Sequence, residues 1–277
     1  MVLNFSSLSS AALQLSGCVL SALFLLPGAA QAQLSVSPLV IETEAQRGQA
    51  QGAITIANTS NAPIRLRIYA EPFTYSRDKG FQRLESSPND LTPYLQFSPR
   101  ELTIQPGEQR RVRLLSRLAP SLPEGEYRAV IFTETLTERQ DSSGNNVNIR
   151  VLIGSTVYVR QGDIAPNLAV EGASWNSEQN QIQLLVRNTG EASVRPKLNW
   201  TLKQGETVVE TGNLDETAVI AESDRYFLLQ YPGNNQPAPT PGQYQLTGEL
   251  VWSEDDSQRS QSFSVDLMIP ATAATGQ

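Results

Sequence analysis

Four apolar residues at alternate positions, Val147, Ile149, Val151 and Ile153, and four arginines, Arg113, Arg128, Arg150 and Arg160, are what this chain offers for binding chemistry. Apolar side chains at every second position line one face of an extended strand and can fill a row of pockets in a partner. Guanidinium groups recognise carboxylates through two parallel hydrogen bonds, a geometry that lysine does not match. For catalysis the chain offers little. It has no histidine, the commonest general base and transition-metal ligand, and its one cysteine, Cys18, lies in an apolar N-terminal segment. No Gly-rich loop with Lys-Ser or Lys-Thr marks a nucleotide-phosphate site. Glu254-Asp255-Asp256 lacks the ligand spacing of a calcium loop and reads as a hairpin turn. Trp175, Trp200 and Trp252 read as packing residues rather than a sugar platform. The chain is therefore expected to need no metal or cofactor and not to be an enzyme.

The first 32 residues contain no Asp, Glu, Lys or Arg. Ala11 to Leu26 is largely apolar, Pro27-Gly28 breaks any helix, and Ala30-Gln31-Ala32 supplies the small residues of a signal-peptidase site. Residues 1–32 are read as a signal peptide cleaved before Gln33. A lipidated form through Leu15-Ser16-Gly17-Cys18 is disfavoured because Val19 to Leu26 is still apolar after the cysteine. Removal of this segment leaves no cysteine, which excludes a disulfide scaffold, a thiol enzyme and a cysteine-ligated zinc site.

The elements that must position the binding residues are strands. From Asn145 to Arg160, apolar residues alternate with polar ones through Val147, Ile149, Val151, Ile153, Val157 and Val159, interrupted only by Ser155. Period-two patterning with β-branched residues predicts a strand with one buried face. Roughly 13 such residues would span about 43 Å, long enough to overhang its neighbours. Upstream, alternating segments come with turn formers between them. Leu34 to Glu42 carries Pro38, expected to demote the strand to an edge or to put a kink or switch in it. Ala53 to Asn58, Ile64 to Ala70, Leu95 to Pro99, Glu101 to Ile104, Gln109 to Leu115 and Tyr127 to Leu136 follow. Gln105-Pro106-Gly107-Glu108 suits a type II turn. Ser76 to Pro93 reads as polar loop from which Phe81 and Leu84 dock back.

Gly162 to Pro166 reads as a linker, after which the pattern repeats from Asn167 to Ile269 without a helix. Asn188-Thr189-Gly190-Glu191-Ala192 stands after a strand where Asn58-Thr59-Ser60-Asn61-Ala62 stood before, an internal echo. The fold class predicted is all-β, two tandem immunoglobulin-like Greek-key β-sandwiches after a cleaved signal peptide, with domains at 33–162 and 163–277. Charge divides unevenly: residues 33–163 hold 15 Lys+Arg against 14 Asp+Glu, and residues 164–277 hold 6 against 14. That acidic balance argues against nucleic acid as a partner.

Residues 33–163 resemble the periplasmic pilus-assembly chaperones. The likeness rests on Ile56-Ala57-Asn58-Thr59-Ser60, on Leu102 to Gly107 followed by Val112-Arg113-Leu114, on Leu122 to Arg128, and on a last strand ending Tyr158-Val159-Arg160. The resemblance implies an ATP-independent periplasmic chaperone whose partner is a pilin-like or other exported β-subunit with an incomplete sandwich, with an outer-membrane usher as a further possible partner. Val147, Ile149, Val151 and Ile153 would be the residues donated to the client. The family anchors the client's carboxylate with an Arg on the first strand and a Lys on the last. Here those places hold Pro38-Leu39 and Thr156, so Thr156, Arg113, Arg150 and Arg160 are the candidates for that contact. The competing reading is a surface structural, adhesion or carbohydrate-binding β-sandwich protein.

Overall fold

In a computed structural model the residues described are 34–136, 138–140, 146–148, 150–231, 240–254 and 257–271, with backbone alone at 138–140 and 146–148. The expected signal peptide, Ile149 and the Asp255-Asp256 turn lie outside them. Strands of the first half are β1 (Leu34–Ser37), β2 (Val40–Glu44), β3 (Gln49–Asn58), β4 (Ile64–Glu71), β5 (Phe73–Ser76), β6 (Gly80–Arg83), β7 (Leu95–Ser98), β8 (Glu101–Ile104), β9 (Gln109–Arg117), β10 (Gly125–Thr135), β11 (Glu138–Gln140), β12 (Asn146–Asn148) and β13 (Leu152–Gln161). Those of the second are β14 (Leu168–Asn176), β15 (Gln181–Asn188), β16 (Lys197–Gln204), β17 (Thr207–Leu214), β18 (Ser223–Gln230), β19 (Gly242–Glu254) and β20 (Ser257–Ile269). One 3₁₀ turn, Thr92–Tyr94, is the sole helical element among the described residues.

Each half is a sandwich. In the first, the sheet β1-β3-β9-β7 faces the sheet β2-β13-β10-β4-β8 across a core of Ile54, Ile56, Leu66, Ile104, Val112, Ile131 and their neighbours. In the second, β14-β15-β18 faces β17-β16-β19-β20 across Ile182, Leu184, Leu198, Phe227, Leu246 and Leu250. Sequence-adjacent strands repeatedly land in opposite sheets, the Greek-key arrangement of immunoglobulin-like sandwiches. Pro38 does stand where the first strand switches sheets: β1 pairs with β3, and β2 crosses to run parallel with β13. Pro99 separates β7 from β8 in the same manner. A residue with no N–H cannot sit inside a ladder, so the chain changes partner there.

Two local devices recur in both sandwiches. Tyr127 Oη donates to Pro123 O at 2.9 Å and Tyr244 Oη donates to Thr240 O at 2.7 Å, each a tyrosine corner at the start of a central strand. Asn58 Nδ2 donates to Ala62 O and Ile104 O, and Asn188 Nδ2 donates to Ala192 O and Val219 O. The Asn58/Asn188 echo in the sequence is thus one hydrogen-bonding motif used twice. Its third residue differs for a steric reason. A Cβ on Gly190 would lie 2.3 Å from Ala165 O and 2.5 Å from Asn167 N, because the connecting chain crosses there, whereas Ser60 is unobstructed and caps Ala62 N. Gly190→Ser, which would make the second motif like the first, is expected to destabilise the protein by about 1–3 kcal/mol, the usual cost of overpacking. Urea denaturation checks it, and an unchanged midpoint would refute it.

The expected loop from Ser76 to Pro93 is partly a hairpin. β5 and β6 pair from Phe73↔Arg83 to Ser76↔Gly80, and Phe81 stacks on Phe73 with centroids 5.6 Å apart. Polarity hid it, since only Phe73, Tyr75 and Phe81 carry its apolar face. That face covers the outer side of the β10/β13 sheet, where Phe73, Val130, Phe132 and Tyr158 gather with Ile220 from the second sandwich in a third buried cluster. At its tip, Arg77 Nε donates to Asp224 Oδ1 at 2.8 Å, and Arg225 lies 4.8 Å over the Tyr75 ring. The hairpin therefore straps one sandwich to the other.

Candidate functional site

The strand singled out by its alternation is not one continuous element. β13 begins at Leu152 and β12 ends at Asn148. The two nevertheless belong to one ribbon in a single register: Glu134 faces Leu152, and four residues further along each strand Glu138 faces Asn148. Thr135 N–H donates to Val151 O at 3.0 Å, and Leu136 N–H donates to Arg65 O on the β4 side, as strand alternation requires. The ladder opens at Val151, whose N–H goes to the Thr135 hydroxyl at 3.0 Å in place of the Thr135 carbonyl. The ribbon still carries residues beyond the sandwich body, as the strand's length predicted.

β13 has partners on both sides only from Thr156 onward. Its N–H donates to Leu39 O at 2.9 Å, and Thr156↔Val40 is the first pair with β2. Leu152 to Ser155 are paired with β10 alone. Strand polarity alternates, so with Thr156 N–H aimed at β2, those of Gly154 and Leu152 aim at the same, open side. Val151 N–H confirms the parity by donating to Thr135 Oγ1 on the β10 side at 3.0 Å. Val151 and Leu152 are 43% and 41% exposed, whereas Ile153 is half-buried against the first core. An unpaired edge beside exposed apolar side chains is the geometry that accepts another strand. The Val147 side chain and the whole of Ile149 lie outside the described residues.

Below this edge, where the sandwiches meet, a cleft of about 770 Å³ is lined by Val40, Glu42 and Arg160 from the first and by Arg195, Lys197 and Trp252 from the second. Arg160 Nη2 donates to Ser193 O at 2.7 Å. Arg195 pairs with Glu42 and lies 4.7 Å over the Tyr158 ring. Burial pulls its guanidinium down to about 10, so it is still charged at neutral pH. Behind the cleft the fully buried Glu126 carboxylate accepts from Ser193 N at 2.8 Å and from Ser193 Oγ, with Arg160 Nε at 3.5 Å and Arg128 Nη1 at 3.6 Å. Ala221 N–H donates in turn to Ser193 Oγ at 3.1 Å.

Of the residues proposed for carboxylate contact, Arg160 reaches the cleft. Thr156 is buried with its hydroxyl at Leu39 O, Arg150 pairs with Glu134 at 3.4 Å on the outer face, and Arg113 is exposed on β9 in the opposite sheet. Sequence reasoning missed Glu42, Glu126, Ser193 and Arg195. Parity along β10 puts Glu126 on the face of Arg128 and Val130, a signal for its direction but not for its partner. Among the described residues no group of three or more His, Cys, Asp or Glu is placed to hold a metal ion. Trp200 is buried in the second core with Trp175 and Trp252 packed against it, so the tryptophans form no open platform.

No family model matches the chain, and no curated protein matches it. Solved structures of similar shape include the CsuC–CsuE chaperone–tip adhesion subunit pre-assembly complex of Acinetobacter baumannii, at 16% identity and TM-score 0.48, covering 85% of this chain and 98% of that one. The Escherichia coli chaperone DraB matches at 13% identity and TM-score 0.47, covering 84% and 96%. The Salmonella enterica complex of the SafA pilin with the SafB chaperone matches at 13% identity and TM-score 0.43, covering 85% and 96%.

Proposed function

We propose that this protein is an ATP-independent assembly chaperone, exported to the periplasm by residues 1–32, whose two domains (33–162 and 163–277) hold an exported β-subunit with an incomplete sandwich. No catalysis is assigned to it. One observation carries the reading: the last strand of the first sandwich keeps a free backbone edge at Leu152–Gly154 beside the exposed Val151 and Leu152. A subunit lacking a strand exposes an apolar groove and an unpaired edge of its own. Addition of the ribbon would cover both, with backbone hydrogen bonds giving affinity and the Val147, Ile149, Val151, Ile153 row giving register. The sequence motifs shared with the pilus-assembly chaperones support the same reading. An outer-membrane usher is proposed as the receiver of the loaded complex. The cleft below the edge offers Arg160, Arg195 and Lys197 to an acidic group of the client.

Hydrogen exchange tests strand addition directly. In the free protein the Leu152 and Gly154 amides should exchange rapidly, while Tyr158, flanked by strands on both sides, is protected. With a captured subunit, protection at Leu152 and Gly154 should rise by at least about a hundredfold and at Tyr158 hardly at all. A complex that leaves Leu152 and Gly154 exchanging as before would refute the mechanism.

A further inference from the structure

We infer that the outer face of the first sandwich, away from the cleft, is a second docking surface, fitted to an extended acidic polypeptide segment of a partner. A groove of about 730 Å³ crosses this face between Arg67, Tyr69, Arg83, Arg100, Arg150 and Leu152. Three of its guanidinium groups sit over aromatic rings: Arg67 over Tyr69, Arg83 over Phe132 and Arg100 over Phe97, each 4.9 Å from the centroid. A ring beneath a guanidinium consumes none of its N–H donors, although Arg67 and Arg83 already give some of theirs to Glu134 and Glu71.

Two of the three carboxylates that line the groove, Glu71 and Glu134, are set lower than their arginines, while the third, Glu101, is 55% exposed and pairs with Arg65 at 3.0 Å. Glu134 accepts from Arg67 at 2.7 Å and lies 3.4 Å from Arg150, yet its side chain is only 6% exposed, against 51% for Arg67 and 74% for Arg150. Glu71, likewise the less exposed partner, accepts twice from Arg83 at 2.5 Å. Arg100 has no carboxylate partner among the described residues. The floor therefore orients the arginines, and the rim holds four of them against one exposed carboxylate, Glu101, with Leu152 and Tyr69 as apolar ground between. Carboxylates at alternate positions of an extended chain all point one way and would meet that rim together.

A polypeptide fits better than a continuous polyanion. The groove has room for a few residues, and the net charge of −7 on the chain repels an extended anionic surface such as a bilayer or a nucleic acid. This surface lies on the outer face of the sheet and does not depend on strand addition at the open edge.

The test uses the full mature protein and a fluorescein-labelled decapeptide alternating Glu and Ser, with a Lys-Ser decapeptide and phosphatidylglycerol vesicles as the other arms. The Glu-Ser peptide should bind, and its Kd should rise at least about tenfold in Arg100→Glu/Arg150→Glu, where both side chains are exposed and folding is retained. Arg100→Lys/Arg150→Lys should lie between the two, because charge is kept and the bidentate fork is lost. Val151→Asp should leave peptide binding unchanged, which separates this face from strand addition. Absent peptide binding at 50 mM salt, equal binding by the Glu variant, or tighter binding to the vesicles than to the peptide would each overturn the proposal.

Discussion

Val151→Asp is expected to fold and melt like the parent protein while losing at least about a hundredfold in capture of its exported subunit. The two halves of this expectation have separate causes. Val151 is more than two-fifths exposed and belongs to neither described core, so a polar replacement there should change stability by no more than about 0.5 kcal/mol. In the complex the same side chain would be buried in an apolar groove. Loss of a buried valine removes about 1.5–3 kcal/mol, and desolvating an unpaired carboxylate costs several more. About 2.7 kcal/mol already corresponds to a hundredfold in affinity. Co-purification of the subunit from periplasmic extract, beside a thermal melt of the free variant, measures both halves. A variant that melts normally and still retrieves the subunit would remove strand addition from consideration.

Glu126→Ala should produce the largest loss of stability, about 3–5 kcal/mol, the range found when one partner of a buried ion pair is removed. Glu126 is enclosed by both sandwiches, and its removal takes the acceptor from Ser193 N–H and Ser193 Oγ–H and the ion-pair partner from Arg128 and Arg160. Arg128 Nε and Nη1 already find no hydrogen-bond acceptor among the described residues, so Arg128 would become a buried charge with nothing opposite it. In a chain of this size each kcal/mol moves Tm by about 2–4 °C, which puts the expected drop near 10 °C. Glu126→Gln keeps an acceptor for Ser193 N–H and should lose roughly half as much. Circular dichroism melts of the two variants decide the matter. An alanine variant within about 2 °C of the parent would mean that the buried carboxylate does not hold the joint.

Much of the architecture was legible before any coordinates. Period-two runs marked nearly every strand of the first sandwich, and β8 coincides with the predicted Glu101 to Ile104. Pro38 marked an edge, kink or switch and stands at a sheet switch, and Gly107, with φ at +73° and Glu108 N–H bonded to Gln105 O, sits in the turn its neighbours called for. The Asn58/Asn188 echo turned out to be a repeated hydrogen-bond motif. These features are local: alternation, turn chemistry and the missing proline N–H act over two to five residues and are written in consecutive letters. The β5–β6 hairpin escaped because its apolar face is supplied by three aromatic residues in an otherwise polar stretch, and their burial depends on Phe132 and Tyr158 far downstream.

By itself, then, the chain's sequence determined its strand positions, its two-sandwich layout and the apolar row on the last ribbon. Tertiary structure decided where that ribbon runs out of partners, which of many arginines reaches the cleft, and that Ser193 and Arg195 of one sandwich meet Glu126 and Glu42 of the other. The physical reason is separation along the chain. Glu126 and Ser193 are 67 residues apart, and Glu42 and Arg195 are 153 apart. A charge's type is readable where it stands, but its partner is set by two folded faces that come together only after each has formed its own core.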